Sequence, residues 1–292
     1  MSEAPDEGRV AIVGAVSWNT IVLLDRLPDP TPHMQFAEAD WQTVGGTSAG
    51  KALSLRGLGR AVSLRARVGR DPAGLRIRDA LGRAGLPLFG LREAIASERH
   101  LNLMTGAGER VSLFLASPEL APGQEETGGD EPALAGAAAI VLDLSAEGLA
   151  AIEEARAAGA PIWVDLHDYD GAAAFHRPFL EAADVLFCNA DRLPDPEGFL
   201  RRCIDDGAAL AVCTLGAEGA IAVDRDGVRH RVAAVPVEVV DTNGAGDAFF
   251  AGVLDATLAG GAVGDALAAG AAAAAAVLRS RHLHPLLDDV LA

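Results

Sequence analysis

The sequence predicts an α/β protein in which helices cover a mostly parallel β-sheet. Short apolar runs typical of buried strands alternate along the chain with segments of helical periodicity. The segment Ser145 to Gly159 is one such helix, because Leu149, Ile152 and Ala155 recur at helical spacing and Gly159 supplies a stop. Half of the 292 residues are hydrophobic, which is enough for a folded protein with a substantial core.

Five runs are predicted as strands of the core. In chain order they are RVAIVGAV from Arg9, AAIVLDL from Ala138, PIWVDL from Pro161, DVLFC from Asp184 and ALAVCTL from Ala209. A hairpin, GAIAVDRDGVRHRVAAV, follows the last of them. Strands and helices repeated in this way indicate a parallel sheet.

Two regions interrupt this alternation and predict a small separate β-layer. Short strands are expected within about residues 20–43, in TIVLLDRLP and HMQFAEADWQTV, and within about residues 99–116, in HLNLM and RVSLFL. The second pair reads as a hairpin around the Gly106 to Gly108 turn. The polar stretch from Ser117 to Pro132 is expected to be a flexible surface connection. We expect residues 1–292 to form a single domain with this layer projecting from it.

Composition excludes several classes of partner. The formal net charge is −17, so the field of the whole molecule repels nucleic acid and anionic lipid surfaces. The amino terminus lacks the basic start and apolar run of a signal peptide, and no segment predicts a membrane span. Three cysteines without metal-ligand spacing fit a reduced, cytoplasmic protein.

The stretch from Val237 to Gly260 is the most informative part of the chain. VEVV is expected to be extended, DTNGAG is a loop of small residues, and Asp247 opens a helix. Its buried face is predicted to contain Phe250, Val253, Leu254, Thr257 and Leu258. A strand that enters a helix through a glycine-rich loop directs unpaired N–H groups and the helix dipole at one point, which favours an anion.

Asp247 is a fixed negative charge in the first turn of this anion site. That position suits a group that accepts a proton from a hydroxyl attacking a phosphoryl group, and an ordinary Asp pKa of about 3.9 would require no tuning. Asp also commonly caps helices, and glycines commonly make tight turns. The whole string, with an acid on each side of the loop, favours the catalytic interpretation.

The string DTNGAGDAFFAG resembles the carboxy-terminal signature of the ribokinase-like (PfkB) family of carbohydrate and nucleoside kinases. The resemblance implies a three-layer core with a mostly parallel central sheet and a small β-sheet lid. It also implies transfer of the γ-phosphoryl group of ATP to a hydroxyl of a sugar or nucleoside. Asp247 takes the position of the catalytic base, and Gly244, Ala245 and Gly246 take that of the anion hole.

Further positions follow from the same resemblance. The segment TLGAEG resembles the family's nucleotide segment and implies nucleotide contacts at Thr214, Gly216 and Gly219. The resemblance implies two further nucleotide contacts, at Asn189 and Asn243. Mg²⁺ is expected with ATP. Asp241 and Thr242 lie where many members hold a monovalent cation such as K⁺, although an Asp at a strand end is also a common loop hydrogen-bonder. Arg192 stands where the family often has a Glu that organises magnesium.

The stretch GGTSAGKALSLRGLG resembles the amino-terminal signature of the family, which meets the phosphoryl acceptor. The implied acceptor positions are Asn19, Gly45, Gly46 and Gly50, together with Asp247. Gly50 replaces the Asn of the signature, and Asn19 replaces an Asp of many sugar kinases, so the identity of the acceptor is not carried over. Lys51 has no assigned role: it is either a solvated helix residue or a group that reaches an anionic substrate.

Three other interpretations stay open beside a sugar kinase. The first is a nucleoside kinase of the same family, and the second is a degenerate member that binds a metabolite and regulates. The third is a P-loop NTPase that uses Gly45 to Lys51, with Asp143 or Asp165 as its acidic residue; Ala52, which lacks a magnesium-binding hydroxyl, disfavours it. Exposed apolar faces on the lid strands favour a homodimer.

Overall fold

The structure is a computed structural model that describes residues 8–86, 90–123 and 134–291. Its strands are β1 (Val10–Gly14), β2 (Ser17–Leu24), β3 (Ala39–Gly45), β4 (Val62–Gly69), β5 (Leu91–Ala94), β6 (Glu98–Thr105), β7 (Arg110–Ala116), β8 (Ala139–Asp143), β9 (Ile162–Asp165), β10 (Val185–Asn189), β11 (Leu210–Thr214), β12 (Ala220–Asp224) and β13 (Arg229–Val232). Its α-helices are α1 (Thr47–Gly57), α2 (Pro72–Arg83), α3 (Ala146–Ala150), α4 (Ile152–Ala158), α5 (Arg177–Ala182), α6 (Pro196–Asp205), α7 (Ala245–Leu258) and α8 (Val263–Val277).

The larger sheet confirms the predicted α/β class. Within the described ranges it has nine strands in the order β13-β12-β11-β10-β9-β8-β1-β4-β5. Neighbouring strands from β11 to β5 are parallel, whereas β12 and β13 form the predicted antiparallel hairpin at one edge. The carboxyl ends of β1, β8, β9, β10 and β11 therefore meet at one edge, which is where open α/β sheets bind ligands.

Helices pack on both faces of this sheet and give a three-layer arrangement. Side chains alternate along β1, so that Val10 and Ile12 enter one apolar core while Ala11 and Val13 enter another. The first core contains the buried faces of α1, α2, α7 and α8. The second contains those of α4, α5 and α6. Helix α7 packs against both α1 and α8, which brings the glycine-rich loop next to the helix that carries Lys51.

The smaller sheet is the predicted lid. Its four strands, in the order β3-β2-β6-β7, come from the two regions in which short strands were expected. The hairpin of β6 and β7 turns at Gly108, which has a φ of 87°. Strand β7 lies at an edge of this sheet and is exposed along nearly its whole length.

Strands β4 and β5 are missing from the sequence-based prediction. Strand β4 is buried at every position, yet its sequence includes Arg65 and Arg67, which interrupt the apolar pattern. Arg67 Nε donates to Glu147 Oε2 at 2.6 Å, and Arg65 Nη1 donates to Glu154 Oε2 at 2.8 Å. Charges buried in pairs can thus occupy a strand that sequence pattern reads as polar.

Two local predictions are wrong. VEVV is not a strand; Val239 and Val240 are 53% and 61% exposed and lie outside both sheets. The predicted helix after Ser145 is divided into α3 and α4 at Ala151, and Leu149 is exposed. Its predicted stop is confirmed, because Gly159 ends α4 with a φ of 73°.

Other sequence-based expectations have mixed outcomes. Of the predicted buried face of α7, Thr257 is exposed and Leu258 is half-buried, while the other three are buried. All three cysteines lie in the described residues, where they are buried and unpaired. In that same part of the chain no helix is long and apolar enough to cross a bilayer. Residues 1–7 of the amino terminus and most of the stretch from Ser117 to Pro132 lie outside the described residues.

Candidate active site

The candidate site lies at the carboxyl edge of the larger sheet. Strands β8, β9, β10 and β11 end there at Asp143, Asp165, Asn189 and Thr214. Asp143 is paired with Asp165 in the sheet register, and Asn189 is paired with Thr214. The amino termini of α1 and α7 approach the same edge, because α7 packs against α1.

The loop before α7 has the geometry of an anion site. Gly244 caps the helix with a φ of 78°, and a side chain there would collide with the carbonyl oxygen of Leu283. Among the residues that the structure describes, the backbone amides of Gly246 and Asp247 have no hydrogen-bond acceptor. A side chain at Gly246 would meet nothing within 4 Å. These unpaired amides, together with the dipole of a 14-residue helix, favour an anion at this point.

Asp247, in the first turn of α7, is buried and 8% exposed. Its Oδ1 accepts a hydrogen bond of 2.9 Å from Lys51 Nζ. Lys51 is 0% exposed, so it is neither a solvated helix residue nor free to reach a substrate. Both roles that the sequence left open for this lysine are therefore wrong.

Lys51 Nζ contacts two further carboxylates. It lies 2.9 Å from Asp143 Oδ1 and 3.4 Å from Asp165 Oδ2, and the ring centroid of Phe250 is 5.1 Å away. An ammonium held by three carboxylates is not available to a nucleotide phosphate. This arrangement, rather than the missing hydroxyl at Ala52 alone, excludes the P-loop interpretation.

The other oxygens of these carboxylates are also bound. Ser48 Oγ donates to Asp143 Oδ2 at 2.6 Å, and the backbone amide of His167 donates to Asp165 Oδ1 at 3.0 Å. The Nδ1 atom of His167 lies 3.4 Å from Asp165 Oδ2. His167 has a φ of 51°, which is unfavourable for a residue with a side chain. Asp143 and Asp165 are thus fixed from two sides.

The electrostatics of the cluster follow from burial and charge. Burial raises the pKa of Asp247 to about 6, with Lys51 lowering it and Asp143 raising it. The expectation of an ordinary pKa for Asp247 is therefore wrong. Burial lowers the pKa of Lys51, but the three carboxylates outweigh it, so this pKa lies well above its ordinary value. For Asp165, burial raises the pKa, but His167 and Lys51 lower it below its ordinary value.

Gly50 lies against the catalytic candidate. A Cβ atom at Gly50 would overlap Asp247 Oδ2, and it would lie 2.8 Å from Asp247 Cγ. Gly50 belongs to α1 and has no unusual backbone angle, so space and not conformation requires glycine here. The Asn of the family signature would not fit beside Asp247 in this arrangement.

A cavity of about 400 Å³ opens beside the start of α1. This volume lies within the range of small-molecule sites. The residues that line it include Gly46, Thr47, Glu98, His100, Phe114 and His167. Three of these residues, Glu98, His100 and Phe114, belong to the lid. The cavity therefore lies between the predicted lid and Gly46, a predicted acceptor residue.

Most of these lining residues escaped the sequence-based prediction. The His100 Nε2 atom lies 2.9 Å from Glu98 Oε1, and the His100 ring contacts the Phe114 ring at a tilt of 49°, with centroids 4.0 Å apart. Glu98 and His100 are two residues apart in β6 and share one face of it, but the predicted lid segment HLNLM began at His100 and left Glu98 out. The sequence could show which side chains of the strand share a face, but the cavity that this face lines is formed by residues distant in the chain.

The predicted acceptor residues separate into two groups. Gly46 lines the cavity, with a φ of 92° that suits glycine. Asn19 is buried in β2, where its Oδ1 accepts a hydrogen bond of 2.7 Å from Ser17 Oγ. A side chain at Gly45 would overlap the Asn19 amide. Asn19 and Gly45 thus pack together at the base of the lid, and Trp18 beside them is buried in the core.

The predicted nucleotide residues occupy the neighbouring part of the sheet edge. Asn189 Oδ1 accepts from the amide of Asp191, and Thr214 Oγ1 donates to the carbonyl of Cys188. Gly216 and Gly219 bracket a short turn with φ values of 57° and 92°. A side chain at Gly219 would collide with the Val232 carbonyl oxygen, so the adjacent hairpin already requires that glycine.

Asn243 connects the loop to the lid. Its backbone amide donates to Asp241 Oδ1 at 2.8 Å, its Oδ1 accepts from Arg110 Nη1 at 2.5 Å, and its Nδ2 lies 3.3 Å from Met104 Sδ. Arg110 and Met104 belong to β7 and β6. The glycine-rich loop and the lid are therefore in direct contact.

The family's usual metal positions differ in environment. Arg192 is 59% exposed and pairs with Asp168 and Asp170 at 3.8 and 3.6 Å. Asp241 is buried; its Oδ2 has no hydrogen-bond partner among the described residues, and burial raises its pKa. Thr242 follows it in the loop. The described residues contain no cluster of three or more His, Cys, Asp or Glu suited to a metal ion.

Comparison with known proteins identifies the class of this fold. The sequence profile of the pfkB family carbohydrate kinases matches residues 8–288. The chain belongs to the pfkB family. It is an ATP-dependent carbohydrate kinase that phosphorylates a sugar-like substrate, which agrees with its sheet topology and lid.

Two curated relatives match over most of their length. The acarbose 7(IV)-phosphotransferase of Actinoplanes sp. is 33% identical over 279 residues, covering 94% of this pfkB family chain and 92% of the relative. The ATP-dependent ribose-1-phosphate kinase of Halopiger xanaduensis is 32% identical over 271 residues, covering 89% and 88%.

Solved structures confirm the fold. The microbiome-derived acarbose kinase Mak1 superposes with a TM-score of 0.78 and 29% identity, covering 98% of each chain. The ribokinase of Arabidopsis thaliana, in complex with ribose and ATP, also has a TM-score of 0.78, with 21% identity over 97% of this chain and 99% of that one. The predicted ribokinase-like three-layer core and lid are therefore correct.

Proposed function

We propose that this kinase transfers the γ-phosphoryl group of ATP to a hydroxyl of a sugar-like acceptor with Asp247 as the general base. The observation that carries the assignment is the position of Asp247, buried beside the unpaired amides at the start of α7. A base and an anion site at one point suit attack by a hydroxyl on a phosphoryl group.

The proposed reaction transfers one phosphoryl group and one proton. Asp247 takes the proton of the acceptor hydroxyl as the O–H bond breaks, and the acceptor oxygen forms a bond to the γ-phosphorus. The bond between that phosphorus and the β–γ bridging oxygen breaks, so ADP leaves with the electron pair. The amides of Gly244, Ala245 and Gly246 are the proposed anion hole for the charge that develops on the transferred group, and for this role Ala245 has to release the Thr242 carbonyl oxygen, which lies 3.4 Å from its amide nitrogen.

The acceptor is proposed to be a glycoside or a sugar phosphate and not a nucleoside. The two curated relatives that match over most of their length, at 33% and 32% identity, are named for acarbose and ribose 1-phosphate. The nucleoside kinases among the solved structures are 16% and 18% identical and support the fold alone. The cavity beside Gly46 offers carboxylate and imidazole groups for hydroxyls, together with the Phe114 ring. Within it, Glu98 and His100 are the proposed acceptor contacts.

The cations are proposed from the chemistry of the residues present. Mg²⁺ supplies charge neutralisation between the β- and γ-phosphates, and we propose that it enters with ATP. The buried, unpartnered Oδ2 of Asp241 fits a monovalent cation such as K⁺, with Thr242 beside it. Asn189, Thr214, Gly216, Gly219 and Asn243 are the proposed nucleotide contacts.

The remaining expectations stay predictions. They are a single domain over residues 1–292, a cytoplasmic location, no nucleic-acid or membrane partner, and a homodimer through the lid. The exposed edge strand β7 supports the last of these.

The decisive experiment measures ADP release with magnesium-ATP against glycosides, oligosaccharides, sugar phosphates, free pentoses and hexoses, and nucleosides. We expect turnover with a saccharide, and a loss of about 10²–10⁴-fold in kcat for Asp247→Asn with ATP binding retained. Asp265→Asn is the matched control, because Asp265 lies in the first turn of α8 and is exposed. Full activity of Asp247→Asn would refute the catalytic assignment.

The same panel tests the regulatory alternative. Tight binding of one compound without turnover of any compound would favour a metabolite-binding regulator. Preferential turnover of nucleosides would overturn the proposed acceptor class but would still support the proposed phosphoryl transfer.

A further inference from the structure

Lys51 is chemically exceptional in this chain. It is the sole lysine beside 23 arginines, and it is one of the largest side chains with no exposure to solvent. A lysine ammonium is a compact charge with three donors, whereas a guanidinium is a planar fork. Three carboxylates from three separate elements surround Nζ, which suits the first geometry and not the second.

Two of those carboxylates fix the ammonium in place. Asp143 is held on its other oxygen by Ser48, and Asp165 is held by the backbone amide of His167. Both lie at the ends of buried parallel strands, so they move only with the sheet. The position of Nζ is therefore set by the core before Asp247 is considered.

The third contact is made to the general base of the proposed function. Lys51 Nζ binds Asp247 Oδ1, while Asp247 Oδ2 lies beside Gly50, where glycine leaves room for it. One oxygen of the carboxylate is thus anchored and the other is left for a second partner. The charged groups that act on Asp247 are Lys51, Asp143 and His167, with Asp165 reaching it through Lys51.

We propose that Lys51 is a positioning residue for phosphotransfer: its ammonium, fixed by Asp143 and Asp165, keeps the buried carboxylate of Asp247 ionised and correctly oriented. This inference rests on the proposed function, in which Asp247 accepts the proton of the acceptor hydroxyl. Without the ammonium, three carboxylates would share one buried site, and like charges at close range favour protonation of one of them. A protonated Asp247 could not act as a base.

The kinetic test uses Lys51→Met, which removes the charge and keeps an unbranched side chain that is one atom shorter. Loss of an opposite charge at this distance raises the pKa of a carboxyl group by about 1–3 units. The acid limb of the kcat/KM profile should move to higher pH by at least about one unit, so that activity is lost at acid pH and recovers at alkaline pH. Equal loss at every pH would overturn the proposal and leave Lys51 a purely structural residue.

A spectroscopic test does not depend on turnover. Because Lys51 is the sole lysine, protein labelled with ¹³C-lysine gives one Cε resonance. Its pH titration should show a step for ionisation of Asp247 near pH 6, and this step should be absent from Asp247→Asn. A Cε shift without that step would overturn the proposed coupling even if no acceptor were turned over. Conversely, a step without any turnover would support the coupling and count against the proposed kinase function.

A second pair of variants covers the case in which Lys51→Met does not fold. Replacing Lys51 by Met together with Asp143→Asn removes one negative charge with the positive one. The pH profile of the double variant is compared with that of Asp143→Asn alone. The proposal requires the acid limb at higher pH in the double variant, and coincident limbs would refute it.

Discussion

Replacement of Asp247 by Asn should stabilise the protein while lowering its kcat by about 10²–10⁴-fold. The carboxyl group of Asp247 is buried, and burial raises its pKa to about 6 in spite of Lys51. The folded protein therefore holds the proton of Asp247 more tightly than the unfolded chain does. Asn has nearly the same shape and can still accept the hydrogen bond from Lys51, but it carries no charge to bury.

The magnitude follows from the pKa values. At about 1.4 kcal/mol per pKa unit, a rise from 3.8 to about 6 corresponds to about 3 kcal/mol. The sign is fixed by linkage: the contribution of Asp247 to stability is complete below its unfolded pKa of 3.8 and is lost as pH rises through about 6. Relative to the wild type, the Asn variant should thus gain about 3 kcal/mol between about pH 4 and about pH 7.

The measurement is the free energy of unfolding from urea titrations across that pH interval. Asp265→Asn serves as the control, because an exposed carboxylate should give a difference that changes little with pH. A stability difference between Asp247→Asn and wild type that does not grow with pH would refute the electrostatic argument. Loss of stability at neutral pH in the variant would show that the Lys51 contact outweighs the cost of burial.

Two further predictions concern Gly50 and the lid. Gly50→Ala should lower kcat by about 10²-fold, because the added methyl group displaces the Asp247 carboxylate. The control is Gly264→Ala, which adds a methyl group in open space on α8 and should leave kcat unchanged. Equal kinetics for the two variants would contradict this steric reason. The exposed side chains of Leu113 and Leu115 on edge strand β7 predict a dimer by light scattering at micromolar concentration, and a double substitution of both by Lys should give monomers. A monomeric wild-type protein would refute the lid interface.

The strands could be predicted from the sequence wherever their buried side chains are apolar. The five predicted core strands and the four lid segments are present because their side chains follow the periodicity of strands. Strand β4 escaped because Arg65 and Arg67 are neutralised by Glu147 and Glu154, which are 80 or more residues away in the chain. VEVV has the composition of a strand, but no strand of either sheet pairs with it. The residue pattern of one segment does not show whether a distant residue neutralises its charges or whether another strand lies beside it.

The candidate site shows the same division. Asp247 and its glycine loop could be predicted because motif, loop and helix start are contiguous in the chain. The lysine cluster could not, since Asp143 and Asp247 lie 92 and 196 residues after Lys51 and only the topology brings them together. The raised pKa of Asp247 is likewise a property of burial, which the sequence of the loop does not contain.

Gly50, which departs from the amino-terminal signature, and the neighbouring Lys51 are best understood as one feature. The space that a side chain at position 50 would occupy is filled by Oδ2 of Asp247, while Oδ1 of the same carboxylate is held by Lys51. An Asn at position 50 and the Lys51–Asp247 contact therefore compete for one position of the carboxylate. Glycine gives up a side chain that could bind the acceptor, and the cavity beside Gly46 then has to supply those contacts from other residues. Glu98 and His100 of the lid lie in that cavity, so selectivity for the acceptor should depend on β6 more than on α1.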